Sequence, residues 1–169
     1  ARVERLVLPE LREIPAANAS GGFAAPEAWA WHRDLVARKR EAYDPRILAR
    51  ILRGEGMAAA DYVDLIQARA RISAAIAQRT RAFDAVVMPT CPLIPPAIAE
   101  VEDEAAYNRI NLLLLRNPSV ANFLDRCAIS IPCHRPGDPP VGFMLMGEHM
   151  GDHRLLAVAA ATEAALAEP

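Results

Sequence analysis

The sequence is short of several residue types on which chemistry usually rests. Its three cysteines, Cys91, Cys127 and Cys133, match no metal or disulfide framework, so reduced thiols in a cytoplasmic protein are the expectation. Aromatic residues make up 5% of the chain, and lysine occurs once, at Lys39 between Arg38 and Arg40. There are four serines, Ser20, Ser73, Ser119 and Ser130. A net charge of −2 gives no electrostatic pull toward nucleic acid or an anionic membrane. The longest apolar runs, "NLLLL" and "LLAVAAA", are too short to span a bilayer. What is present fits a globular domain: 169 residues, 53% of them hydrophobic and 24% charged. A chain of this length can bury about 70% of its unfolded surface.

Periodicity divides the chain into elements. "RVERLVL", ending at Pro9, reads as a strand, and the chain opens inside it. This gives the expectation of a protein cut within a longer domain. "REIPAANASGG" reads as a loop. A helix then begins at Pro26, where a missing N–H costs nothing, and runs to about Tyr43 with Trp29, Leu35 and Val36 inward. Asp44 caps a short helix that Gly54 and Gly56 end. A long helix follows, about Ala58 to Arg81, with Tyr62, Leu65, Ile66, Ile72 and Ile76 at helical spacing. Ala85 to Met88 is a continuous apolar run, as in a strand covered on both faces. A helix over about 104–115 and a second short one, capped by Asn117 with Pro118 in its first turn, are expected next. "CAISIPC" and "VGFMLMG" read as two more buried strands joined by the polar turn "HRPGDPP". The last helix starts at Asp152 and packs Leu155, Leu156, Val158 and Leu166. Helices alternating with buried strands predict an α/β layered sheet. Four strands are few for so many helices, which again places part of the sheet elsewhere.

The residues by themselves offer no complete active site. A serine nucleophile needs a base within hydrogen-bond reach. The strained elbow that exposes such a serine is usually glycine-flanked on both sides, whereas Ser20 in "NASGGF" follows Ala19. The single lysine leaves little material for a serine–lysine pair, so "SGG" reads as a turn feeding a helix. His149 and His153 lie four apart, but Gly147 and Gly151 argue against one continuous helix, so no metal site is expected. Cys133 and His134 are neighbours, and neighbours on a strand point to opposite faces.

From "FDAVVMPTCPLIPPAI" onward the sequence resembles the amidase signature family. The likeness continues through "YNRINLLLLRNPSVANFLDRCAISIPC" and "PPVGFMLMGEHMGDHRLLAVAAATE", and is specific from Asp84 to Glu163. "NASGGF" and "DPRILARILRGEG" are similar to the segment before it. The resemblance implies an α/β fold: the C-terminal portion of a mixed-sheet amidase-signature domain with helices on both faces. It also implies hydrolysis of an amide through an acyl-enzyme by a serine–cis-serine–lysine triad, with no cofactor. In the family that triad lies in the N-terminal half, so residues 1–169 are expected to be the C-terminal part of one amidase domain. No catalytic residue is assigned here.

The resemblance further implies substrate-contacting positions. Phe23 follows the glycine turn where the family aims a side chain at the substrate channel. Arg50 matches an arginine that meets the substrate carboxylate in the glutaminase component of the tRNA-dependent amidotransferase. Ser119 and Asn122 sit in a channel-lining segment. Each has a plainer alternative: Phe23 a core anchor, Arg50 a solvated helix arginine, Ser119 a first-turn residue, Asn122 a buried strut. Leu115 stands seven residues before Asn122, where the glutaminase component carries an acid for the substrate's amino group. An apolar residue cannot pair with an ammonium group, which favours a general amidase over that component of the glutamyl-tRNA amidotransferase. The alternative of another class is a non-catalytic α/β binding module. The partners expected are a small-molecule amide and the missing half of the chain, with no nucleic acid and no membrane. An apolar face left where strands are missing would invite self-association, a homodimer included.

Overall fold

The computed structural model describes residues 1–167. The chain divides into two compact units, Ala1–Ala75 and Ile76–Pro169.

The first unit is helical. Residues 1–8 form no strand, contrary to the reading of "RVERLVL". An apolar run becomes a strand only when a neighbour takes its backbone groups, and among the described residues none does. The supposed loop after it is a 3-10 turn, Pro9–Glu13, and a single helical turn, α1, Ile14–Ala17. Gly21 and Gly22 follow with φ of 111° and 62°, a backbone that side-chain-bearing residues rarely adopt. They redirect the chain into α2, Ala24–Lys39. Pro26 stands in its first turn, where its missing N–H has no intrahelical acceptor. Val36 faces inward, whereas Leu35 is exposed and Trp29 only half-buried.

Asp44 caps α3, Pro45–Leu52, accepting from the N–H groups of Arg46 and Ile47 at 2.8 and 3.3 Å. Such a cap contributes about 1 kcal/mol. Gly54 ends the helix and is buried against α2: a Cβ there would overlap the Ala25 carbonyl and lie 2.7 Å from the Pro26 Cα. The close approach of α3's end to α2's first turn therefore requires glycine. α4, Ala59–Thr80, carries Leu65, Ile72 and Ile76 on its buried stripe, with Ile66 exposed.

The second unit holds a three-stranded antiparallel sheet in the order β1-β3-β2, with β1 at Val86–Pro89, β2 at Ala128–Pro132 and β3 at Gly142–Met146. Central β3 is the most buried, as both its neighbours hydrogen-bond to it. β1 is an edge strand with alternating half-buried and exposed residues, not a strand covered on both faces as its apolar run suggested. Phe143, Leu145, Ile129 and Ile131 share the face packed by Leu155, Val158 and Ala159 of α6, Asp152–Ala167. Leu156 and Leu166 of α6 stay exposed. Met144 and Met146 point to the opposite face and are also buried.

The two helices expected over 104–124 are one, α5, Glu104–Leu124, with Pro118 inside it. A proline there leaves the carbonyl four residues earlier without its helical donor. That carbonyl belongs to Leu114, and the Cys91 thiol donates to it at 3.7 Å. Asn117, expected to cap a new helix, donates its Nδ2–H to the Pro89 carbonyl at 2.8 Å. The interruption is thus met from outside the helix, and the helix continues. It ends at Asp125, whose φ of 56° takes the left-handed position usual for glycine.

Two stability measurements check this account. Gly54→Ala should destabilise the protein by about 1–3 kcal/mol in urea unfolding, because backbone rather than a flexible side chain must move. Pro118→Ala should restore a donor for Leu114. Cys91→Ala should then cost close to nothing in the Pro118→Ala background, against about 0.5–1 kcal/mol in the parent, a coupling that a double-mutant cycle reads directly.

Candidate functional site

A cavity of about 460 Å³ opens in the second unit, walled by residues 90–95 after β1, by Leu114 of α5 and by the ends of β2 and β3. Its position follows from strand register. Met88 and Ser130 both pair with Met144, so Thr90 and Ser130 flank Gly142 on the face away from α6. Because Gly142 has no side chain, the two hydroxyls meet across the central strand at 2.5 Å. A Cβ on Gly142 would overlap Ser130 Oγ and lie 2.6 Å from Thr90 Oγ1. One hydroxyl donates to the other, leaving a free O–H and free lone pairs side by side. At the rim, His134 Nδ1 lies 3.3 Å from the Val141 nitrogen and 3.5 Å from the Val141 carbonyl oxygen, so the ring is held against the backbone of that residue. The other lining residues are apolar, Leu93, Ile94 and Val141 among them, and no Asp, Glu, Lys or Arg among the described residues lines the cavity.

Of the positions that the family resemblance singled out, three lie together. Leu115, Ser119 and Asn122 recur at four and three residues along α5, so they share one helix face, and all three are exposed. Asn122 is therefore no buried strut, and Ser119 is a mid-helix residue, not a first-turn one. Leu112, 67% exposed, continues the same face one turn earlier.

Phe23 and Arg50 belong to the first unit. Arg50 is half-buried on α3. Phe23 directly precedes α2 and is held on two sides. Its ring meets Tyr62 edge-on with centroids 5.8 Å apart, and the Arg69 guanidinium sits 5.0 Å from its centroid. Tyr62 donates its hydroxyl to Glu27 at 3.0 Å. That hydrogen bond raises the phenol above its ordinary value, with desolvation and the Glu27 charge acting the same way and Arg69 opposing them. Ser20 is exposed in the turn before α2, and Lys39 is the last residue of that helix. A helix of 16 residues is about 24 Å long, so these two cannot act as a pair.

The remaining polar candidates resolve into structural contacts. His149 lies in the loop after β3 and its Nδ1 is 2.8 Å from the Asp125 carbonyl, whereas His153 is on α6. The Cys133 thiol donates to the Val141 carbonyl at 3.6 Å, so Cys133 and His134 both engage the backbone of Val141, not each other. The Arg126 guanidinium donates to Thr80 Oγ1 at 2.8 Å, and its burial lowers its pKa from the ordinary value. Among the described residues no group of three or more His, Cys, Asp or Glu is placed to hold a metal, and no helix is long and apolar enough to cross a membrane.

Sequence reasoning missed the cavity, although its residues lie in the segments that carried the family resemblance. The signal was available in "MPT", "AIS" and "VGF", but reading it needs the register that sets Thr90 and Ser130 on either side of Gly142.

Comparison with known proteins gives the same picture from another side. The amidase family model matches residues 16–156. The 2-amino-5-chloromuconic acid deaminase of Comamonas testosteroni is 28% identical over 169 residues, 99% of this chain and 37% of that protein. The A-type component of the glutamyl-tRNA(Gln) amidotransferase of Sulfurisphaera tokodaii is 26% identical, over 86% of this chain and 31% of its own length. The chain thus spans 37% of the first of these relatives and 31% of the second, about a third of their length. Among solved structures, K. lactis urea amidolyase superposes with a TM-score of 0.80 at 25% identity, over 94% of this chain and 10% of that one. A crystal structure of an amidase superposes with a TM-score of 0.77 at 23% identity, over 97% of this chain and 38% of the other. Its α/β fold is theirs, and with the family model matched over most of its length the chain belongs to the amidase family.

Proposed function

We propose that residues 1–169 are the C-terminal part of one amidase domain, in a protein that hydrolyses a carboxamide C–N bond through a serine acyl-enzyme. The family match over residues 16–156 carries this reading. The serine attacks the carbonyl carbon, the amine leaves with a proton, and water releases the acid. Backbone N–H groups would hold the developing oxyanion. The nucleophile and its lysine belong to an N-terminal half outside this sequence. The separation of Ser20 from Lys39 supports that, as does the lack of any other lysine. This chain supplies sheet and pocket wall.

The exposed face of Leu115, Ser119 and Asn122 is the wall we assign to the substrate channel, with Phe23 and Arg50 as further substrate contacts. Leu115 decides the substrate class. An acid there would suit an ammonium group; a leucine suits a less polar acyl group. This ranks a general amidase above the glutaminase component of a glutamyl-tRNA amidotransferase, the complex to which several relatives belong by name. The partners are a small amide and the rest of the protein's own chain, with no direct contact to nucleic acid or membrane. Self-association through exposed apolar residues such as Leu112 would give a homodimer. Three free thiols support a reducing, cytoplasmic setting.

Two experiments test the reading. The 169 residues alone should hydrolyse no aliphatic or aryl amide, and Ser20→Ala should change nothing; hydrolysis that this variant abolishes would overturn the assignment. In the full-length protein, Leu115→Asp should lower kcat/KM for apolar amides by about tenfold or more, with cationic amides least affected. Glutamine hydrolysis seen only with a partner protein bound would reverse the ranking.

A further inference from the structure

Phe23 is held more closely than its place in the chain requires. It directly precedes α2, straight after the glycine turn at 21–22, where a phenylalanine side chain can swing among three staggered positions. Two residues of α4 remove that freedom. Tyr62 and Arg69 stand seven residues apart, so they share one face of the helix two turns from each other. The Phe23 ring meets both. Its centroid is 5.8 Å from that of Tyr62 with the rings at 77°, and the Arg69 guanidinium is 5.0 Å from it. Edge-to-face and cation–π contacts are directional, so the pair sets the ring's orientation as well as its place. Tyr62 is held in turn. Its hydroxyl donates to Glu27 Oε1 at 3.0 Å, and the Glu27 N–H donates to the Phe23 carbonyl at 3.2 Å. The network thus closes on itself through the first turn of α2. Phe23 nevertheless stays half-buried and is not sealed into a core.

We infer that Tyr62 and Arg69 are positioning residues for the amidase reaction: they fix the Phe23 ring before the substrate arrives, so that the acyl group meets a preset apolar surface. This rests on the reading of Phe23 as a substrate contact. A ring already confined to one of three staggered positions need not be ordered on binding, which is worth about threefold in affinity. Tyr62 and Arg69 act through Phe23, and Glu27 acts through Tyr62.

The experiment is steady-state kinetics of the full-length protein on hexanamide, which carries a long apolar acyl chain, and on acetamide, whose acyl group ends in one methyl. Tyr62→Ala and Arg69→Ala should each raise KM for hexanamide by about threefold and leave kcat within about twofold. Tyr62→Phe keeps the ring and should recover most of that loss. In a Phe23→Ala background the same substitutions should change nothing further. Neither a general loss of stability nor a direct effect of the Arg69 charge on the substrate would show that coupling. Arg69→Ala keeps the test decisive if Tyr62→Ala does not fold. A KM raised by Phe23→Ala but not by Tyr62→Ala or Arg69→Ala overturns the positioning role and spares the substrate contact. Effects that persist in full without the Phe23 ring, or that are equally large for acetamide, also overturn it. Parent kinetics in Phe23→Ala, or a parent protein that hydrolyses neither amide, removes the underlying reading and this inference with it.

Discussion

The second unit depends on how α5 is tied to the end of β1. A proline inside a helix leaves an acceptor open and pushes the local backbone aside. Here one side-chain donor answers that acceptor and a second ties the helix to the strand end. Cys91 reaches back to Leu114, and Asn117 reaches across to Pro89. Together they link α5 to Pro89 at the end of β1 and to Cys91 just beyond it. Cys91 and Leu114, joined by the first of these bonds, both line the cavity.

A second constraint acts at Gly142. Side chains on neighbouring strands normally meet the residue between them. Removing that residue's side chain lets Thr90 and Ser130 close over it, and the hydroxyl pair becomes a polar floor in an apolar space. On the reverse face the same strands pack Leu145, Phe143 and Ile131 against α6. The opposite face is packed at Met144 and Met146 and opens only at its Gly142 end, where the cavity lies.

In the first unit, Gly54 and the glycine pair at 21–22 perform related tasks. Gly54 admits a backbone crossing too tight for any side chain, and the pair turns the chain so that Phe23 lands beside Tyr62 and Arg69. Phe23 is consequently a held residue with a fixed ring, whatever further surface it meets.

Local signals determined much of this protein. Asp44 with Pro45 marked a helix start, Gly54 marked its end, and the 3.6-residue pattern found α4, because caps and periodicity act within a few residues. "CAISIPC" and "VGFMLMG" were legible as strands, and the motifs from Asp84 onward carried the family. Where the sequence misled, a distant group had decided the outcome. "RVERLVL" needed a pairing strand to become one. Pro118 should have ended a helix, but Cys91, 27 residues earlier, satisfied the acceptor it exposed. Likewise the hydroxyls of Thr90 and Ser130 lie 40 residues apart and met only when two strands paired in register with β3. Composition and spacing fix what each short stretch can do. Which of those options is taken depends on hydrogen-bond partners supplied from elsewhere in the chain, and only the folded arrangement brings these together.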